Sequence, residues 1–312
     1  MEIGLSLALA APRACPASPP ALDLDFIARS FRRGGTEVPL ATVMSFARAS
    51  PASYVDAAGV ARIAPADTPR VDHELSGRPR GLLLEAAAAN RVYPSDLGSG
   101  WNVSGGTSLP APDGSAARLL TVNAGAGDCY LSRSVSLTLG QPHTVSLCCR
   151  RDQTRYAMLY GFGNGPAGVG FDLWAGTARV NANWTGAEIE ILSPQVARIA
   201  GTLSPASNGL LALGPATSDT GEKAFSGGEA LTVWNAQVET GLCATSPIPT
   251  STAEAERTAD RAGLIGISGL HDVEIAHDDG TKTVLPAQEI AEGWWSAALP
   301  RPHIARLTLH RV

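Results

Sequence analysis

Between Trp101 and Gln237, clusters of Gly, Pro, Asn, Asp or Ser interrupt the chain roughly every 8 to 14 residues. That rhythm leaves room for short strands and none for a helix of ordinary length. Ten strands are expected there: 117–122, 129–139, 143–149, 157–161, 169–173, 178–183, 189–192, 196–203, 209–213 and 229–237. Ser132, Ser134 and Ser136 alternate with Arg133, Val135 and Leu137, the period of a half-buried strand. The predicted fold class is all-β, an antiparallel β-sandwich of the jelly-roll kind. Gly 33 and Pro 22 supply the turns without any Gly-X-Y period, and 44% hydrophobic residues suffice for a sizeable core.

Charge narrows the partners. The net charge is −5, lysine occurs only at 223 and 282, and no basic run exceeds a pair. A duplex nucleic-acid binder needs a concentrated basic face, so that class is excluded. Insertion into a membrane by an apolar helix is excluded as well, because no stretch approaches about 20 apolar residues.

Three domains are expected: an attachment or oligomerisation segment over 1–65, a central jelly roll over 66–262, and a small β module over 263–312. The start, MEIGLSLALAAPRACPASPP, has an apolar run but carries Glu2 where a secretory signal carries Lys or Arg. A buried strand over 3–9 followed by a proline-rich tether is therefore expected, in a protein made in the cytoplasm. Cys15, Cys129, Cys148, Cys149 and Cys243 form no C-x-x-C pair and are read as reduced thiols. Residues 52–55 and 60–63 are expected to pair across a turn at Asp56–Gly59. The segment LLLEAAAA (82–89) reads as a strand and then one helical turn. Asp279-Gly280 suits a type I′ hairpin.

Few motifs carry chemistry. Gly163-Asn-Gly-Pro-Ala-Gly168 matches G-x-G-x-x-G, but a strand follows it where a nucleotide site needs a helix N-terminus. Asp72-His73-Glu74 offers two carboxylates on one strand face, with local ion pairing to Arg70, Arg78 and Arg80 as the simpler role. His277, Asp278 and Asp279 lack a fourth ligand at useful spacing, and the histidines show no metal pattern. No nucleophile elbow occurs. No catalytic or metal residue and no cofactor is therefore assigned; a structural Ca2+ is compatible with a jelly roll, but no dense acidic loop indicates one.

Tryptophan is more informative, six residues in a chain that is only 5% aromatic. Flat indole rings stack on the C–H faces of sugars while neighbouring amides bond the hydroxyls. Trp174 and Trp184 flank an expected hairpin with Asn181 and Asn183 beside them. Trp294 and Trp295 are adjacent, so in a strand one of them faces outward. These six residues are the candidate carbohydrate-binding set, whereas Trp101 and Trp234 read as sandwich core.

Several stretches resemble a family of phage structural proteins, the head-spike fibre and tail-fibre-like proteins. They are ARASPASYVDAAGVARIAPADTPRVDHELSGRPRGLLLEAAAANRVYPSDLGSGWNVSGG (47–106), PDGSAARLL (112–120), FDLWAG (171–176) and VWNAQVETGLCATSPIPTSTAEAERTAD (233–260). The resemblance implies a carbohydrate-binding jelly roll on a particle surface, like the head spikes of gene transfer agents. It implies a homotrimer that holds the host's capsular polysaccharide and attaches to a capsid or spike-base protein. One element departs from the pattern: Ser193-Pro-Gln-Val-Ala-Arg198 keeps the arginine of a Gly-Trp-Tyr-Arg-like motif and loses its aromatics. A structural adaptor bridging virion components, or a glycan depolymerase using Asp72 and Glu74, are the other functions considered.

Overall fold

The computed structural model describes residues 19–162, 168–181, 184–296 and 299–312. The expected strand over 3–9, Cys15, Asn183 and most of the Gly163–Gly168 loop lie outside these residues. Among the described residues there is no α-helix, and one 3-10 turn, Leu40–Thr42, is the exception to an all-β chain. Two six-stranded antiparallel sheets form a jelly-roll-like sandwich. The first runs Asn102–Ser104, Tyr130–Val135, Gly209–Ala216, Tyr156–Gly161, Val169–Asp172, Thr177–Val180. The second runs Gly106–Pro110, Arg118–Val122, Ala230–Thr240, His143–Arg150, Val196–Leu203, Trp184–Ser193.

Alternation explains what fills the space between them. Along the central strand His143–Arg150, Val145, Leu147 and Cys149 point inward to Leu131, Leu159, Phe171, Ile199 and Leu213. Thr144, Ser146 and Cys148 point the other way and are buried too, because polar straps cross the outer face of this sheet. Asn90 anchors them: its amide donates to Ala236 O (3.0 Å) and Ile248 O (2.9 Å), while its oxygen accepts from Val92 (3.2 Å) and Val238 (3.1 Å). Both donors and the acceptor of a fully buried side chain are satisfied, which makes the polar strap tolerable against the sheet.

A second core joins the two ends of the chain. Leu22–Asp25 lies between Ser30–Arg33 and His303–Arg311 in an eight-stranded sheet that also contains Gly269–His277, Lys282–Ile290 and Pro79–Leu83. Leu22, Leu24, Phe26, Val43, Met44 and Leu82 pack with Val273, Ile275, Ile304, Leu307 and Leu309. The described part of the 1–65 segment and the 263–312 module, separate in the sequence reading, thus share one apolar cluster. Neither segment has enough apolar surface to build a core alone.

Local corrections follow from turn chemistry. LLLEAAAA forms no helical turn: Pro79–Leu83 and Ala88–Asn90 are strands joined by irregular chain. Ala88–Asn90 pairs with Ala255–Arg257, so tertiary pairing overrides the alanine propensity. The hairpin at Asp279-Gly280 is a three-residue loop, since only Gly280 takes a positive φ (83°) and His277 N–H meets Thr281 O at 2.9 Å. A type I′ turn would need positive φ at both central residues.

Candidate functional site

The sequence-predicted tryptophans are dispersed. Trp174 sits in the turn between Val169–Asp172 and Thr177–Val180 and is 58% exposed. That turn is rigidly built: Asp172 Oδ1 accepts the N–H groups of Trp174 (3.1 Å) and Ala175 (3.0 Å), and Asp172 Oδ2 is clamped by Arg155 (2.7 Å and 3.0 Å). The Arg155 clamp holds the Asp172 carboxyl below its usual range. Arg151 donates to Leu173 O (2.8 Å) and Trp174 O (2.9 Å), fixing the turn from the neighbouring sheet.

Asn181 lies at the opposite end of the same hairpin, its backbone N–H on Gly168 O (2.9 Å) and its amide on Asp219 O (3.1 Å). Trp184 is buried at 5% exposure and fills the space above Gly201, where a Cβ would come within 2.6 Å of the indole. Its faces are covered by protein. Trp294 and Trp295 lie in irregular chain, where strand alternation does not operate, and both pack half-buried on the second core. Trp101 is core as expected, with its indole N–H donating to Pro94 O (2.9 Å).

Trp234 departs from its expected core role. It is half-buried and lines a cavity of about 480 Å3 on the outer face of the second sheet. The lining comes from separate segments, among them Asp96, Asp113, Arg150, Val196, Asn235 and Thr250. A β-bulge aims the indole there. Ser146 pairs with Gln237 but Cys148 with Trp234, so two residues, Asn235 and Ala236, oppose the single Leu147. Asn235 takes a left-handed φ of 53° and absorbs the extra residue. Leu231 and Val233 before it, and Ala236 and Val238 after it, therefore all reach the core, while Trp234 stays on the outer face with Thr232.

The cavity walls are fixed by hydrogen bonds. Thr250 N–H donates to Ser95 Oγ (2.9 Å), Ser95 N–H to Thr250 O (3.2 Å), and Thr250 Oγ1 to Val92 O (2.8 Å). Arg150 grips Asp152 through Nε (2.9 Å) and Nη2. The Asp113 carboxyl is held below its ordinary value by Ser115, with a contribution from the Arg150 charge. Arg150 in the cavity and Arg151 under the Trp174 turn are consecutive, so both aromatics belong to the same end of the sandwich. The cavity combines an indole wall with amide, hydroxyl, carboxylate and guanidinium groups, in a space within the usual range for small ligands.

Other ionisable groups have structural partners. Asp72 accepts Val55 N–H (2.7 Å) and pairs with His303 Nε2 (2.8 Å), whereas Glu74 pairs with Arg78. His277 engages His303 O (3.1 Å) and Thr283 Oγ1 (3.0 Å), and Asp278 engages Arg80 and Arg301, each at 2.9 Å. Among the described residues no three His, Cys, Asp or Glu side chains are grouped to hold a metal ion. Cys129, Cys148 and Cys149 are buried free thiols and Cys243 an exposed one; burial pushes the Cys148 and Cys149 thiols up. No helix is long and apolar enough to cross a membrane among these residues. No protein-family model matches the chain, and no curated protein matches it.

Proposed function

We propose that this protein is a non-enzymatic surface spike of a phage-like particle that binds host-cell polysaccharide and so promotes adsorption. The observation that carries the proposal is the Trp234 cavity, with Trp174 exposed on a hydrogen-bonded turn at the same end of the sandwich. An aromatic wall fixed before the ligand arrives loses little entropy on binding, which suits weak sugar sites. Acidic overall charge and compensated arginines favour recognition by stacking and hydrogen bonds over phosphate or duplex binding. Binding is favoured over hydrolysis because Asp72 and Glu74, the carboxylates considered for a depolymerase, are paired with His303 and Arg78. The homotrimer implied by the family resemblance belongs to the same proposal, since fixed copies on one particle gain avidity.

Adsorption of particles with and without the protein to encapsulated and capsule-free cells is the test. The proposal expects loss of adsorption to encapsulated cells when the protein is missing. Normal adsorption with defective assembly would instead identify a structural adaptor. Light scattering of the purified protein checks the trimer.

A further inference from the structure

We propose that the Trp234 cavity, taken as the saccharide site above, selects an uncharged sugar residue and turns away uronates and other anionic sugars. The ionisable groups in its lining are Asp96, Asp113 and Arg150. The lining thus holds two carboxylates against one guanidinium, and Arg150 commits Nε and Nη2 to Asp152 outside the lining, which leaves the cavity with a formal excess of negative charge. Asp96 and Asp113 are exposed at the rim, where Asp96 accepts the backbone N–H of Gly98, two residues on (2.9 Å). A sugar hydroxyl donates to such carboxylates in charge-assisted bonds. A sugar carboxylate brings a like charge, loses hydration, and finds the cavity's arginine already neutralised. The Trp234 indole contributes an apolar stacking face that takes the C–H face of an uncharged ring. Charge therefore sets the class of sugar, and stacking sets its orientation.

The test titrates the full-length protein with a panel of neutral oligosaccharides and with oligogalacturonate, at low and high ionic strength. The variants are Trp234→Ala, Trp174→Ala, and a double variant carrying Asp96→Asn and Asp113→Asn, all at exposed or half-buried positions that leave the core intact; circular dichroism melting verifies each fold. At least one neutral oligosaccharide binds, oligogalacturonate binds roughly tenfold or more weakly, and Trp234→Ala lowers neutral-sugar affinity by about tenfold. The double variant narrows the gap between neutral and anionic ligands, most visibly at low salt. Preference for oligogalacturonate overturns the inference. So does a Trp234→Ala protein that binds like wild type while Trp174→Ala does not, a result that leaves saccharide binding itself standing. Failure of wild type to bind any saccharide overturns both.

Discussion

Asp260 accepts Arg48 on one oxygen (2.9 Å) and Arg70 on the other, and the side chains of all three are completely buried. Arg70 and Arg257 in turn meet Glu85, which also takes Ser246 N–H and Oγ (both 2.6 Å). These charges tie the strand ends near residues 48, 70, 85 and 257–260 together where the second core approaches the sandwich. Removing one partner strands a charge in the interior, so Asp260→Asn should cost about 3–5 kcal/mol, read as a lower urea midpoint. An unchanged midpoint would show that water reaches the cluster. Burial by itself raises the Glu85 carboxyl, but Arg257 and Arg70 outweigh it and hold the group below the ordinary glutamate value. A depressed carboxylate contributes stability above its unfolded value of about 4.3, lost as pH falls through the lower folded value. Urea midpoints should therefore stay level from neutral pH to about 5 and drop below about 4, and Glu85→Gln should weaken that acid-side drop. Midpoints that rise on acidification would contradict the assignment.

The bulge in Ala230–Thr240 is the element that connects sequence to site. Leu231 and Val233 are in phase with each other, as are Ala236 and Val238, but the two pairs are out of step by one residue. That slip was legible in LTVWNAQV, and it places the irregularity at Trp234-Asn235. The expected core role for Trp234 fits the phase of Ala236 and Val238 and conflicts with that of Leu231 and Val233. The regular strands were far easier to read, because alternation and turn clusters are local signals. Asn235 can be tested directly. Asn235→Gly suits the left-handed φ and should change stability by no more than about 1 kcal/mol, with glycan affinity kept. Asn235→Val, β-branched at a positive φ, should cost about 1–3 kcal/mol and reduce affinity by turning the Trp234 ring. Equal behaviour of the two variants, measured by thermal melts and titration, would remove the bulge from the account.

At the scale of the whole molecule, the legible part was the sandwich and the obscure part was what lies between distant segments. Composition and turn spacing specify a sheet-on-sheet core, since those properties act over a few residues at a time. The shared core of residues 22–46 and 264–309 depends on pairing across nearly the full chain, to which periodicity is blind. The cavity was hidden for the same reason: its lining is gathered from segments around residues 95, 115, 150, 196, 234 and 250. The exposure of Trp174 was legible because it falls in a turn between two expected strands, whereas Trp184 sits opposite Gly201, a packing partner no local pattern reveals. The central claim, a saccharide held at the Trp234 end of the sandwich, is most directly tested by a crystal structure of the protein with oligosaccharide released from host capsule. The account predicts a sugar ring stacked on the Trp234 indole with hydroxyls reaching Asp113 or Asp96; ordered sugar at another surface, with the Trp234 cavity free of it, would contradict it.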